Sequence, residues 1–183
     1  MKILKMNLAN KLTMLRLFMV PVFIVLFEIF GITNVIPAVV FALTAFTDFL
    51  DGYVARKYNL VTTFGKFMDP LVDKVLTQAG YIVLAGAGYI PSWTVIVIVF
   101  RELLITGLRT VAASNNITIA ASVYGKVKTI SQFIAIIAFL LKGVLPLPQI
   151  IFDILLYISV ILTIVSGFEY LYKNKNVLDL DNI

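Results

Sequence analysis

The chain contains no cysteine and no histidine. Disulfides and thiolate metal sites are thereby excluded, and any bound metal has to be held by oxygen. Charge is scarce as well: 14% of the 183 residues are charged against 61% hydrophobic, and mean hydropathy is +1.00. A soluble domain carries about 25% charged residues, so lipid rather than water is the expected solvent. Repeats, low-complexity stretches and long polar linkers are lacking too. What remains is a single membrane domain over residues 1–183.

The apolar runs at 20–27, 95–100 and 150–165 are hydrophobic at nearly every position. Strands of a membrane barrel would alternate apolar and polar residues, so the runs read as helices. A span needs roughly 20 apolar residues, and the pattern predicts six: 13–31, 34–56, 68–89, 91–113, 126–146 and 148–171. Turn formers at 31–34, 58–65, 86–91, 114–116 and 143–148 separate them. The expected fold is all-α: a polytopic bundle of six transmembrane helices, with the first dozen residues forming a short interfacial segment. The run after Lys2, Lys5 and Lys11 resembles a signal peptide, but no small-residue cleavage site follows, and it reads as a retained first helix. Pro21 and Pro70 fall within proposed helices and predict kinks, unless Pro70 occupies a first turn.

With both termini on one side, that face collects every one of the 15 Lys and Arg residues except Lys142 and Arg101. The asymmetry predicts cytoplasmic termini in a cell membrane. Net charge +5 is then a topology signal with some attraction to anionic lipid, and its dispersal over helix ends argues against nucleic acid as a partner.

Four aspartates, Asp48, Asp51, Asp69 and Asp73, lie in or beside apolar spans. An Asp at mid-span costs about 2.5–3.5 kcal/mol to insert, so the group calls for a reason. Each pair is spaced three or four residues apart and so shares one helix face. If the pairs face each other, carboxylates at about 4 Å repel by roughly 4 kcal/mol at an effective dielectric near 20. Cations between them would remove that repulsion, and hard ions such as Mg²⁺ or Mn²⁺ suit an all-oxygen donor set. Salt bridges that merely end helices, Asp51 with Arg56 and Asp73 with Lys74 or Lys66, explain single aspartates but not four together. Gly52 and Ala55 present small side chains beside Asp51, room for a flat ligand or for close helix packing.

The stretch DFLDGYVARKYNLVTTFGKFMDPLVDK resembles the signature of the CDP-alcohol phosphatidyltransferase family, D-x2-D-G-x2-A-R-x8-G-x3-D-x3-D. Every fixed position is present: Asp48, Asp51, Gly52, Ala55, Arg56, Gly65, Asp69 and Asp73. The resemblance implies two divalent metals, Mg²⁺ or Mn²⁺, bridged by Asp48 and Asp69, with Asp51 and Asp73 completing one site each. It also implies Asp73 as base for the acceptor hydroxyl, and CDP-diacylglycerol held at Asp51, Gly52, Ala55, Arg56 and Gly65. Homodimers are common in the family, so a homodimer among membrane lipids is expected.

The acceptor has to be read outside that signature. Arg101, Glu102, Thr106 and Arg109 share a stripe of the fourth span, and Lys126 and Lys128 open the fifth. Arg109, Lys126 and Lys128 are expected to cluster at the cytoplasmic end, where cations suit an anionic acceptor. Arg101, costly at mid-span, should pair with Glu102, lipid phosphate or substrate. RELLITGLR with GKVKT (ending in Thr129) and Gln132, and the opening Asn10, Thr13, Arg16, are similar to bacterial members of the family that use sn-glycerol 3-phosphate. A proline common before that Asn is Ala9 here. The resemblance implies phosphatidylglycerol phosphate and CMP as products, with Arg109, Lys126 and Lys128 on the acceptor phosphate and Arg101 supporting from deeper. Serine, inositol phosphate or phosphatidylglycerol are the alternative acceptors. A divalent-cation transporter is a competing class, but its far half would offer only Glu28 and Asp153 as acidic steps.

Overall fold

The computed structural model describes all residues except 1–7, 58–62, 115, 116, 118, 120, 121 and 176–183, and the side chains of 8–12, 48–57, 63–71 and 73 also lie outside the description. Six helices follow in order: α1 (Leu8–Phe30), α2 (Ile36–Lys57), α3 (Thr63–Gly86), α4 (Ser92–Ser114), α5 (Val123–Leu140) and α6 (Gln149–Lys173). No strand occurs among the described residues. Three helical stretches there are long and apolar enough to cross a membrane, Thr13–Phe30, Val123–Leu140 and Gln149–Lys173, and α2 adds the shorter apolar stretch Ile36–Thr47.

Local chemistry explains the ends. α1 stops at Gly31, whose φ of +59° disfavours any residue with a Cβ, and Asn34 then accepts the Ile36 amide at 3.0 Å to start α2. α3 ends the same way at Gly88, φ +76°. Ser122 caps α5 by accepting from the Gly125 amide at 3.0 Å. Three boundaries depart from the sequence reading. α1 begins at Leu8, so residues 8–12 extend the first helix instead of forming a separate interfacial segment. α3 starts at Thr63 and carries Pro70 inside it, beyond the first turn. α5 stops at Leu140 because the chain turns sharply through 141–145, where Leu141 and Lys142 amides return to Ile137 and Phe139 carbonyls.

Short links make consecutive helices antiparallel, and each packs on its successor except α4, which packs on α3 and α6. α1 lies on α2 and α3; α3 also meets α4 and α5; α6 closes the bundle against α4 and α5. Phe23, Phe41, Leu84, Ile98, Ile136, Phe139 and Phe152 form the dry centre. Gly80 lets three helices converge, since a Cβ there would stand 2.9 Å from Ile136 Cγ2 and 3.0 Å from Phe41 Cε2.

The radial pattern is inverted relative to a water-soluble bundle. Phe18, Phe100 and Phe168 are 67%, 66% and 70% exposed, whereas Arg16, Thr94, Ser159, Thr163 and Ser166 are buried. An apolar surface around a partly polar interior matches hydrocarbon as solvent.

At the end opposite the start of α1, Gly143 packs against the α1–α2 turn, and a Cβ on it would fall 2.5 Å from the Ile32 carbonyl oxygen. Backbone cannot swing aside as a side chain can. Gly143→Ala is therefore expected to lower stability by about 1–3 kcal/mol, read as a lower thermal midpoint in detergent; an unchanged midpoint would show that these turns do not touch.

Candidate active site

The alternating helix directions bring the start of α1, the end of α2, the start of α3, the end of α4, the start of α5 and the end of α6 to one end of the bundle. Asp48 and Asp51 lie in the closing turns of α2, with Gly52, Ala55 and Arg56 following; Gly65, Asp69 and Asp73 lie in the opening turns of α3. Both acidic pairs therefore stand at the same end of adjoining helices. The expectation that their carboxylates face one another falls outside the described side chains, as do the contacts of Asn10, Gly52, Ala55, Arg56 and Gly65. Among the described residues, no three His, Cys, Asp or Glu are grouped to hold a metal ion.

On α1 at that end, Thr13 and Arg16 are one turn apart and buried, and Arg16 heads the largest fully buried side chains. They continue the inward stripe of Val20, Phe23 and Phe27, so the stripe turns from apolar to polar as it reaches the carboxylate end.

Next to α3 the interior opens into a cavity lined by Lys74, Thr77, Gln78, Glu102, Lys128, Thr129 and Gln132, with Ile98 as its apolar wall. Glu102 is its organising acid. One oxygen, Oε1, accepts from Arg101 Nη1 at 3.0 Å and from Lys128 Nζ at 2.5 Å. The three side chains expose only 11% (Arg101), 9% (Glu102) and 6% (Lys128). Lys74 reaches from α3 to donate to Thr106 Oγ1 at 2.8 Å. Thr106 can accept because its own hydroxyl proton goes to the Glu102 carbonyl at 2.6 Å.

Lys74, Arg101 and Lys128 thus gather at Glu102 on the wall of one cavity. Cationic donors held at a cavity wall are suited to an anion. Arg101 Nε is buried and makes no hydrogen bond, and the Arg101 stem lies against Gly167, where a Cβ would come within 3.1 Å of Arg101 Cγ.

The pairing of Arg101 with Glu102 agrees with the sequence expectation. Lys128 joins that pair, whereas Arg109 and Lys126 do not. Arg109 Nε donates to Tyr170 Oη at 2.7 Å, and its guanidinium lies 5.6 Å from that ring's centroid. It stands about 10 Å further along α4 than Glu102, by helical rise. Lys126 is exposed, since it lies two positions before Lys128 and so on another face of the helix. Thr129 Oγ1 donates to the Gly125 carbonyl at 3.0 Å, and Gln132 Nε2 donates to Thr163 Oγ1 at 2.9 Å.

Sequence reading did not single out Thr77, Gln78 or the cavity role of Lys74. A signal existed: Asp69, Asp73 and Thr77 step by four along α3, so Thr77 continues the acidic stripe inward. On α6, Ser159, Thr163 and Ser166 form a buried polar stripe at helical spacing in an otherwise apolar helix.

Residues 6–165 match the family model described as CDP-alcohol phosphatidyltransferase. A Bacillus subtilis protein named CDP-diacylglycerol--glycerol-3-phosphate 3-phosphatidyltransferase is 41% identical, covering 96% of this chain and 99% of its own length. A Rickettsia typhi protein of the same name is 38% identical over 90% of this chain and 94% of its own. A Mycobacterium tuberculosis protein named probable phosphatidylglycerophosphate synthase is 38% identical over 91% of this chain and 81% of its own.

Proposed function

Since this chain belongs to the CDP-alcohol phosphatidyltransferase family, we propose that it transfers the phosphatidyl group of CDP-diacylglycerol to sn-glycerol 3-phosphate, giving phosphatidylglycerol phosphate and CMP. The observation that carries the acceptor is the buried cluster of Lys74, Arg101 and Lys128 around Glu102. Neutral acceptors gain little from cationic donors at a cavity wall, whereas a phosphate is bound by them. The names of the relatives point the same way.

The donor set at the α2–α3 end, four carboxylates in a chain without His or Cys, fits two Mg²⁺ or Mn²⁺ ions held by Asp48, Asp51, Asp69 and Asp73. When bound, such ions supply charge neutralisation for the diphosphate and for the departing CMP. The chain's own residues do the rest. Gly52 and Ala55 give the cytidine room at α2, with Arg56 and Gly65 toward the diphosphate. Arg101, Lys128 and Lys74 hold the acceptor phosphate, and Arg109 and Lys126 draw the anion toward the cavity from further out. Asp73 takes the proton of the glycerol 1-hydroxyl as its oxygen bonds the phosphorus that carries diacylglycerol. The bond from that phosphorus to CMP breaks, and CMP leaves with the electron pair. Thr13 and Arg16, with Asn10 one turn earlier, support the carboxylate end from α1.

In this reading all six helices span the cell membrane of a bacterium, with both termini and the site cytoplasmic, and two copies associate within the bilayer. Trp93 stacked on Tyr157, centroids 6.1 Å apart, marks the far interface.

Purified protein with Mg²⁺ or Mn²⁺ and CDP-diacylglycerol, offered each acceptor separately, tests the proposal. Glycerol 3-phosphate is expected to exceed serine, which has no phosphate for the cationic donors, by about 100-fold or more in kcat/KM, and to exceed inositol phosphate and phosphatidylglycerol, whose larger bodies have to fit the same cavity. Transfer to serine without transfer to glycerol 3-phosphate would overturn the acceptor. Metal flux without CMP release would overturn the enzyme.

A further inference from the structure

Beside the cationic cluster the cavity has a second polar feature, produced by hydrogen bonds that all run in one direction. Ser159 Oγ donates to the Leu156 carbonyl at 2.7 Å. Its proton being committed there, Ser159 accepts from Tyr81, whose hydroxyl lies 3.0 Å away. Thr163 Oγ1 likewise donates to the Ser159 carbonyl at 2.7 Å. Thr163 can then only accept from Gln132, at 2.9 Å. An amide nitrogen and oxygen look alike in shape, and their assignment rests on the network around them. Here the network decides: Gln132 must turn its NH₂ to Thr163, so its carbonyl oxygen is the polar atom left for the cavity it lines.

Gln132 is 2% exposed, and among the described residues its hydrogen-bond partner is Thr163. A carbonyl oxygen presented to a cavity recognises a donor placed against it. Lys128 is four residues before it on α5, so the two side chains enter the same cavity from points about 6 Å apart along the helix.

Resting on the acceptor reading above, we infer that Gln132 Oε1 receives the 2-hydroxyl of the glycerol 3-phosphate acceptor and thereby selects a vicinal hydroxyl beside the phosphate-bearing carbon. Thr163 is the positioning residue, since it fixes which end of the amide faces the substrate. The chemistry required of the acceptor is an anionic head and, next to it, an O–H donor. Phosphate binding by the cations alone would accept a chain lacking that hydroxyl.

The test compares glycerol 3-phosphate with 3-hydroxypropyl phosphate, which keeps the phosphate and the attacking hydroxyl but lacks the 2-hydroxyl. Wild-type protein is expected to prefer glycerol 3-phosphate by about 10- to 100-fold in kcat/KM, the range for a substrate hydroxyl whose loss leaves a buried acceptor unpaired. Gln132→Leu should lose that preference to within about threefold, chiefly by slowing glycerol 3-phosphate. Thr163→Val should lose part of it, because the freed amide can present either end, and Thr163→Ser should restore it. The ratio of two acceptors within one preparation cancels differences in the fraction folded. A wild type that does not discriminate, or a Gln132→Leu protein that keeps the wild-type ratio, overturns the inference while leaving the acceptor reading intact. No transfer to either compound by the wild type overturns the acceptor reading and this inference with it.

Discussion

Asp69→Asn is expected to cut CMP release from CDP-diacylglycerol about a thousandfold or more, equivalent to about 4 kcal/mol of transition-state stabilisation. The substitution keeps side-chain size and removes one negative charge from the proposed four-carboxylate cage. Folding should survive it. Asp69 lies in the opening turns of α3, away from the apolar centre of Phe23, Phe41, Ile136 and Phe152. Helix content and elution in detergent should therefore match the wild type, while added Mg²⁺ or Mn²⁺ should protect the variant against heat less than it protects the parent. Wild-type turnover would remove Asp69 from the site; loss of fold together with loss of turnover would make its role structural.

The second large effect concerns Lys128. Lys128→Ala should raise the KM for glycerol 3-phosphate by about 10- to 100-fold, the worth of a hydrogen bond to a charged group in a buried setting. The KM for CDP-diacylglycerol should move by about twofold or less, because Lys128 belongs to the Glu102 cluster proposed for the acceptor phosphate and not to the residues proposed for the CDP-lipid. Glu102 keeps Arg101 as a partner in this variant, so the acid is not stranded. Lys128→Arg should recover part of the loss. Equal rises in both constants would argue that Lys128 holds the bundle together without touching the acceptor.

Much of the fold was open to a reading of the sequence because lipid imposes a simple rule: apolar runs of sufficient length, punctuated by Gly, Asn and Pro, read as helices. The six helices appear in the predicted order. The errors sit where hydropathy is silent. Residues 63–67 join α3 although they are too polar to look like a span, and 141–146 leave α5 although Leu141, Val144 and Leu145 are apolar. The close fit of Gly143 to Ile32, which accompanies that turn, involves residues far apart in the chain.

The site divides in the same way. Arg101 with Glu102 was legible, since adjacent residues in an apolar helix have few other partners. Lys128 with Glu102, Lys74 with Thr106 and Arg109 with Tyr170 were not. Each joins two helices, and which residues meet depends on how each helix is rotated and how far it is shifted along its neighbour. Those quantities come from packing, for which Gly80 and Gly167 set the closest approaches.

By itself the sequence determined an all-helical architecture with a lipid-facing surface, because backbone polar groups in hydrocarbon must be satisfied within a helix. It also determined that the acidic signature stands at a junction of α2 and α3, since spacing along a chain fixes what shares a helix face. Only the tertiary structure decided which cations meet on Glu102 and which end of the Gln132 amide is left for the cavity. Those are choices of hydrogen-bond partner across helix interfaces, made by contacts that no local pattern encodes.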